Sequence, residues 1–353
     1  MPELTYLIGL LFILLCILLL PLFVKTIEYN LEIFLFIMGI IVVTIAGLWD
    51  IEIIKKALLS GINLKHPIVE VVFIAGVMFT VLSDKINSFT RRMENILGLK
   101  TFVFLVVFIL GIISSMITVI VAALILVEII SILKFDKDVE EEVVVYSCFS
   151  IGIGAALTPI GEPLSTILIS RLSGAPYNAD FLFLVRHMAV YIIPAVFLSS
   201  LMAASSSRKE NNLFEYYEEK KQHEFKEVLI RTGKIYLFIT GLELLAKGFS
   251  PAVEYLIPLV KPEALYFINM LSAVLDNATL TAAEITPAMQ LIQIKAMLMS
   301  LLISGGMLIP GNIPNIVMAN KLKIGSLRWA VIGFPFGMFL LLIYFIVMFL
   351  IKY

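Results

Sequence analysis

Charged residues are scarce in this sequence, and their scarcity excludes most soluble folds. Only 15% of the 353 residues are Asp, Glu, Lys or Arg, whereas 60% are hydrophobic, and the mean hydropathy is +1.02. Soluble domains carry roughly 25% charged residues and about 45–50% apolar ones. One water-soluble core cannot bury this excess of apolar side chains, so the sequence predicts an integral membrane protein whose main partner is the lipid bilayer.

Cysteine and net charge are also low. The only cysteines, Cys16 and Cys148, lie in apolar segments, which excludes a disulfide framework and a Cys-based metal site. The net charge of −1 provides no basic surface, so no nucleic-acid partner is expected. The start of the chain lacks the basic residues of a signal peptide, so residues 4–24 are predicted to remain as a spanning helix.

Motifs of intramembrane enzymes are missing as well. The string His223-Glu-Phe-Lys-Glu lacks the second histidine of a zinc protease, and no Gly-x-Gly-Asp segment marks an aspartyl protease. Leu302-Ile-Ser-Gly lacks the first glycine of a rhomboid serine site. Gly152-Ile-Gly is no nucleotide loop, because no strand precedes it. We therefore expect no enzymatic activity and no cofactor.

Long apolar runs dominate what is present. A spanning helix needs roughly 20 apolar residues, and six runs approach that length: Leu4–Val24, Leu31–Leu48, Pro67–Ser83, Phe181–Ala203, Lys234–Phe249 and Arg328–Ile351. Two further stretches, Leu99–Leu133 and Leu256–Glu284, carry polar residues at their middle. They predict re-entrant hairpins, with polar tips at Ser114, Ser115 and Thr118 and at Ser272, Asp276, Asn277 and Thr279.

Two other apolar segments are interrupted by proline and glycine, in Thr158-Pro-Ile-Gly-Glu-Pro163 and in Ile309-Pro-Gly-Asn-Ile-Pro314. Proline removes a backbone donor, and glycine permits an unwound turn. The prolines are Pro159, Pro163, Pro310 and Pro314, and the glycines are Gly161 and Gly311. Unwound backbone at membrane depth is tolerated only where protein or water covers it. These segments predict broken helices whose open ends form an ion or small-anion site, the alternative being proline kinks in packed helices.

The two halves of the chain resemble each other across a polar segment. Residues of one half match residues of the other in the same order: Gly154 with Gly305, Pro159 with Pro310, Pro163 with Pro314, and Thr118 opposite Asp276. The predicted fold is an all-α polytopic membrane protein with two inverted repeats, each with a re-entrant hairpin and a broken helix. Its parts are N-terminal scaffold helices, a first repeat, a polar linker and a second repeat, at residues 1–66, 67–204, 205–230 and 231–353.

The distribution of Lys and Arg orients this scheme. If the hairpins are re-entrant, most Lys and Arg residues fall in loops on one side, including the linker, and the positive-inside rule makes that side cytoplasmic. Both termini then lie outside, in a multi-pass protein of the inner or plasma membrane. The two hairpins enter from opposite sides.

Two carboxylates in apolar surroundings are the strongest candidates for chemistry. Asp276 lies in the second hairpin and Glu162 in the first broken helix, and a carboxylate at membrane depth is costly unless it has a partner. If the repeats meet at a pseudo-twofold axis, these groups converge with other oxygen donors, which we expect to be Thr158, Asn277, Thr279 and Asn312. Such a site suits a hard cation such as Na⁺, and protons compete with the cation for desolvated carboxylates.

Other polar residues have less specific interpretations. Glu243 is either a proton relay or a partner of a neighbouring helix. Glu128 and Glu284 lie near segment ends, and Trp329 near another, so all three are expected at the membrane interface. Arg186 is expected to extend toward the interface or to pair with an acid. Helix N-termini near Thr158, Gly311 and Asn315 leave open a small-anion site.

The motifs themselves resemble those of a known family. Thr158-Pro-Ile-Gly-Glu162 and Leu275-Asp-Asn-Ala-Thr-Leu-Thr-Ala-Ala283 resemble the paired signatures of NhaD-type sodium/proton antiporters of the ion transporter superfamily. The whole chain resembles the DUF1646 membrane family of proposed cation transporters. The resemblance implies a homodimer in which a scaffold holds a mobile transport part. The chain departs from the antiporters at Thr118-Val119, where they carry Asp-Asn, and at Glu162, where they carry Asp.

The prediction is therefore a secondary transporter that exchanges Na⁺, or another monovalent cation, for H⁺ by alternating access. Glu162 and Asp276 would bind the cation and the proton in turn. The alternative is a sodium-coupled symporter or exporter of a small anion.

Overall fold

The computed structural model describes residues 4–28, 30–59, 74, 85–208, 225–256, 260–274 and 277–350, and all of its regular elements are helical. The helices are α1 Leu4–Phe23, α2 Lys25–Glu28, α3 Leu31–Ile45, α4 Ile51–Leu59, α5 85–97, α6 Leu99–Ile117, α7 Val119–Leu133, α8 Lys137–Ala155, α9 Pro163–Arg171, α10 Phe183–Ser206, α11 Phe225–Leu256, α12 Pro262–Ile268, α13 Asn277–Glu284, α14 Leu291–Gly305, α15 Ile313–Leu322 and α16 Ser326–Phe345. A 3-10 turn at Asn269–Ala273 extends α12, and a wider turn at Ile346–Leu350 extends α16.

The apolar helices indicate a membrane-embedded protein, as the composition predicted. By length and composition, α6, α10 and α16 with its extension can each cross a membrane, and α1, α3, α7 and α14 are shorter apolar helices. Large apolar side chains remain on the outer faces of the bundle: Phe12 on α1 is 65% exposed, and Met116 on α6 and Val190 on α10 are each 70% exposed. Lipid is the solvent that such faces require. The predicted span Pro67–Ser83 lies outside the described residues except for Ile74.

The packing brings α3 and α11 into close contact, with α1 and α4 beside them. Glycines allow the approach: a Cβ on Gly241 would lie 2.7 Å from the backbone nitrogen of Phe36, and one on Gly39 would lie 2.8 Å from the carbonyl oxygen of Gly241. Small residues at such crossings are typical of membrane helix pairs. A second group is formed by α6, α8 and α10, which contact one another.

The predicted polar linker 205–230 is helical at both of its described ends. Residues 205–206 belong to α10 and residues 225–230 to α11. No proline interrupts this stretch, and charged side chains are solvated at a helix end as readily as in a loop. Ion pairs tie α11 to its neighbours: Lys234 Nζ lies 2.7 Å from Glu32 on α3, and Lys56 Nζ on α4 lies 3.4 Å from Glu243. Glu243 is thus a helix partner.

The connection between α9 and α10 carries a surface ion pair. Arg186 lies 2.5 Å from the carboxylate of Asp180, which also accepts a hydrogen bond from the backbone N–H of Leu182. The hydrogen bond from Arg186 lowers the pKa of the Asp180 carboxyl below its usual value. Arg186 therefore pairs with an acid, which is one of the two roles expected for it.

Candidate functional site

The segment predicted as the first hairpin consists of two helices, α6 and α7, that meet at Thr118. Thr118 has φ 73° and ψ 148°, a region that a β-branched residue rarely adopts, so the helix is interrupted here. The tip contacts the break after α8: the backbone N–H of Val119 donates to the carbonyl of Gly161 at 3.1 Å, and the Thr158 hydroxyl donates to the carbonyl of Ser115 at 2.5 Å. Thr158 thus anchors the hairpin.

The helices α8 and α14 both end in an unwound segment that leads into a second short helix. Glu162 precedes α9 with φ −151° and ψ 143°, and Asn312 precedes α15 with φ −153° and ψ 150°. Proline follows in the first turn of each short helix, where a missing N–H costs nothing. Glu162 and Asn312 thus have the same backbone conformation immediately before a short helix, which agrees with pairing the two residues when one position of slack is allowed between the halves.

The two unwound segments, residues 156–162 after α8 and 306–312 after α14, are called the breaks below. Similar hydrogen bonds stabilise each of them. Ser114 Oγ donates to the carbonyl of Ile151 at 3.0 Å, and Ser272 Oγ donates to that of Leu301 at 3.2 Å. The second arm of each broken helix also caps the end of the first. Those capping bonds are Ser165 Oγ to Ala156 O at 3.0 Å and Asn315 Nδ2 to Gly305 O at 2.8 Å and to Leu308 O at 2.9 Å.

Glycine at the two breaks is required by the close approach of backbone. A Cβ on Gly161 would lie 2.0 Å from the carbonyl oxygen of Ala155 and 2.8 Å from Cα of Ser115. A Cβ on Gly311 would lie 2.6 Å from the carbonyl oxygen of Gly305 and 2.9 Å from Cα of Ala273. The hairpin tips therefore pack directly on the unwound segments.

We predict that Gly161→Ala destabilises the protein by about 3 kcal/mol, the upper end of the usual range for overpacking, because the contacted atoms belong to the backbone. Gly311→Ala should cost less, because its contact is longer. Thermal unfolding in detergent, followed by circular dichroism, measures both. The matched control is Gly233→Ala on α11, where the new Cβ meets no described atom within 4 Å. Equal midpoints for Gly161→Ala and the control would contradict this packing.

A small cavity of about 40 Å³ lies where the breaks come together. A water molecule needs about 10–15 Å³ on this scale, so the space holds a particle of ionic size. Three short helices begin at the cavity: α9, α13 and α15. The residues that line it are Glu162, Pro163, Leu164, Leu242, Asn277, Pro310, Gly311, Asn312 and Ile313.

Three polar side chains face this cavity from different helices. Glu162, Asn277 and Asn312 are all buried, and Asn312 Oδ1 accepts a hydrogen bond from the backbone N–H of Ile313 at 2.8 Å. Asn277 is only 4% exposed, and neither atom of its amide has a hydrogen-bond partner within the described part of the chain. A buried amide without partners costs free energy, so this group is free to bind a ligand.

Two predicted donors fall partly or wholly outside the described residues. Asp276 lies outside them, directly before Asn277, and of Thr279 only its helical backbone in α13 is described. Of the other predicted residues, Ser115 donates to the carbonyl of Ile112 and Ser114 to those of Gly111 and Ile151. Pro159 does not line the cavity; its carbonyl accepts a hydrogen bond from Thr166.

Three residues expected at the membrane interface are buried or paired within the protein. Glu284 is 4% exposed and accepts a hydrogen bond from Asn269. Glu128 is paired with Lys321 of α15. Trp329 is fully buried, and its indole N–H donates to the carbonyl of Gly306 at 3.1 Å. Sequence position near a segment end could not reveal these partners, because each lies on a distant part of the chain or in another arm.

The chemistry of the cavity follows from its donors and its helix ends. One carboxyl group and two side-chain amides supply oxygen atoms of the kind that bind a hard cation. The N-terminal ends of α9, α13 and α15 favour negative charge, so the same cavity also suits an anion. Within the residues that the structure describes, no group of three or more His, Cys, Asp or Glu side chains is placed to hold a metal ion.

Comparison with known proteins identifies the family. No curated protein matches the chain. A family model, described as a protein of unknown function (DUF1646), matches residues 7–351. Because this match covers nearly the whole sequence, the chain belongs to the DUF1646 family.

Proposed function

We propose that this protein is a secondary transporter that exchanges a monovalent cation, sodium in the first instance, for protons. The observation that carries the proposal is the small cavity lined by the buried residues Glu162, Asn277 and Asn312. It combines a carboxylate, an amide without partners and open backbone at the breaks of two helices. Unwound backbone at membrane depth is characteristic of transporter binding sites.

Inverted repeats with re-entrant hairpins account for the paired contacts. The Ser114–Ile151 and Ser272–Leu301 hydrogen bonds are equivalent, and Glu162 and Asn312 share one backbone conformation. The halves also exchange contacts, since α7 packs on α15 and α9 packs on α13. A pseudo-twofold axis near the cavity would relate these pairs. In this scheme the linker is cytoplasmic and both termini lie outside, in the inner or plasma membrane.

Exchange follows from competition for the same oxygen atoms. A cation in the cavity would be held by Glu162, by the Asn277 amide and by carbonyls freed at the breaks, with Asp276 next to Asn277 as a second carboxylate. Protonation of a carboxylate removes its charge and weakens its binding of the cation. The α3–α11 pair, with α1 and α4, would serve as the scaffold against which the rest moves, and the same scaffold could join two copies in a dimer.

The test is an exchange assay with purified protein in proteoliposomes. An outward sodium gradient is imposed, and the pH inside is followed with a trapped dye. Sodium-dependent acidification of the lumen is the expected result. Protein-free liposomes and an equal outward gradient of choline are the controls. A lumenal pH that does not respond to sodium would reject cation/proton exchange.

One observation favours a second candidate, a sodium-coupled symporter or exporter of a small anion. Three helix N-termini point at one cavity, and such ends bind carboxylates and oxyanions. In the same proteoliposomes this function predicts that sodium drives uptake of a labelled dicarboxylate or oxyanion with no pH change. The two candidate functions are distinguished by whether the sodium flux depends on the anion or on the pH.

We predict that Gly305→Ala weakens sodium binding by about three- to tenfold without unfolding the protein. The added Cβ would lie 2.6 Å from Nδ2 of Asn277, the end of a side chain that can move aside. Displacing one neutral ligand costs about 0.5–1.5 kcal/mol. The sodium concentration for half-maximal exchange measures the effect, with Gly174→Ala as the control because no described atom lies within 4 Å of its new Cβ. An unchanged value would remove Asn277 from the site.

A further inference from the structure

The second hairpin contains a buried carboxyl group that the cavity does not include. Glu284 ends α13, and its Oε2 accepts a hydrogen bond of 3.0 Å from Nδ2 of Asn269, at the start of the other arm's 3-10 turn. The two residues are 4% and 1% exposed. The other carboxyl oxygen, Oε1, and Oδ1 of Asn269 have no hydrogen-bond partner among the residues that the structure describes.

No cation neutralises this carboxyl group in the described part of the chain. The elements packed on α13 are α9, α11, α14 and the 3-10 turn, and the turn has no charged residue. Among the described side chains, α9 carries Arg171, α14 carries Lys295, and α11 carries Lys234, Glu243 and Lys247. Lys234 pairs with Glu32, Glu243 pairs with Lys56 and Lys295 lies over the ring of Tyr191, and no described ion pair joins any of the five to Glu284.

A line of polar side chains connects Glu284 to the cavity. Asn277, Thr281 and Glu284 are at positions i, i+4 and i+7 of α13, so they share one face of the helix. All three are buried, and the Thr281 hydroxyl donates to the carbonyl of Asn277 at 2.8 Å. Seven residues of helix rise about 10 Å, which is the distance along the axis from the cavity end of α13 to Glu284.

We propose that Glu284, held by Asn269, binds the proton that is exchanged for the cation in the cavity. The inference rests on the proposed exchange of cation for proton and replaces one step of it: Glu284 carries the proton, in place of direct competition at the carboxylates that bind the cation. Burial without a cationic partner favours the neutral acid, so Glu284 carries the proton while the cavity is empty. A cation beside Asn277, about 10 Å away in a medium of low dielectric constant, favours the carboxylate. One cation enters as one proton leaves, so the net charge of the hairpin and its ion does not change.

Infrared difference spectroscopy of the purified protein in lipid tests this assignment directly. A buried protonated carboxyl group gives a carbonyl band separate from those of amides and carboxylates. We expect the wild-type protein at neutral pH in sodium-free choline buffer to show this band. The band should lose intensity when sodium replaces choline. Glu284→Gln should lack that component, and Glu263→Gln on the exposed part of α12 should retain it. Asn269→Leu should shift the band, because the hydrogen bond to the carboxyl group is lost.

A second measurement separates this inference from the proposed function. In weakly buffered solution, sodium should release protons from wild type and from Glu263→Gln, and few or none from Glu284→Gln. A band that persists in Glu284→Gln, or a wild-type spectrum with no such band, would overturn the assignment. A third outcome is that Glu284→Gln lacks the band but sodium leaves the wild-type spectrum unchanged. Glu284 then holds a proton, and the proposed sodium/proton exchange is rejected.

Discussion

Glu162→Gln is expected to weaken sodium/proton exchange strongly at low sodium concentration and to leave the protein folded. Glu162 is the one carboxylate that lines the cavity among the described residues, and glutamine preserves its shape while removing the charge. A hydrogen bond or ligand contact to a charged group contributes about 1.5–3 kcal/mol, so sodium affinity should fall roughly ten- to hundredfold. The proteoliposome assay measures the rate of lumenal acidification as a function of sodium concentration.

The matched control for this variant is Glu243→Gln. Glu243 is next to Leu242, which lines the cavity, but its own carboxylate pairs with Lys56. A half-exposed ion pair of this kind contributes at most about 1 kcal/mol, so exchange should be unchanged. Glu162→Asp, which keeps the charge on a shorter side chain, should retain part of the activity. Full exchange by Glu162→Gln at low sodium concentration would exclude Glu162 as an ion ligand.

The same assay separates the two candidate functions at this residue. In a cation exchanger, loss of the Glu162 charge removes the attraction for sodium. In an anion transporter, the three helix N-termini bind the substrate, and loss of a nearby negative charge would strengthen anion binding. Weaker sodium dependence without anion uptake therefore supports exchange, whereas tighter binding of an oxyanion by Glu162→Gln supports the alternative.

The part of the fold that the sequence predicts follows from its apolar composition and from its helix-breaking residues. The excess of apolar residues leaves only helices as a means of satisfying backbone in lipid, and the helical structure confirms that expectation. Polar residues near Thr118 and the Pro-Gly segments mark places where helix geometry cannot continue, and α6, α8 and α14 end there. Helix ends were less predictable: the apolar run Lys234–Phe249 marks only the middle of α11, because amphipathic and charged residues are compatible with both helix and loop.

The candidate site depends on contacts that no local pattern encodes. Glu162 and Asn312 could be singled out because each follows a Pro-x-Gly or Pro-Gly break in apolar surroundings. The missing hydrogen bonds of Asn277 and the burial of Glu284 depend on which side chains the fold places around them. Leu242 reaches the cavity from α11, and its sequence surroundings do not differ from those of other lipid-facing leucines.

Lys321→Met is expected to produce the largest loss of stability among the variants considered. Lys321 on α15 and Glu128 on α7 form an ion pair in which the two side chains are only 8% and 12% exposed. Removing one member of a buried pair costs about 3–5 kcal/mol, because the remaining charge stays buried without that partner. Thermal unfolding in detergent should show a large decrease for Lys321→Met and little change for Lys323→Met, whose side chain is exposed two residues further on.

The double variant Lys321→Met/Glu128→Leu shows whether the cost comes from charge or from packing. Replacing both ions by apolar side chains of similar size should recover most of the stability, since no uncompensated charge is left. Failure to recover would mean that Lys321 acts through its packed methylene chain. Because α7 and α15 come from different halves of the chain, recovery would also show that the halves stay associated without the ion pair. The pair would then act mainly to select this packing over others, and its charges would be free to change partners if α15 moves during transport.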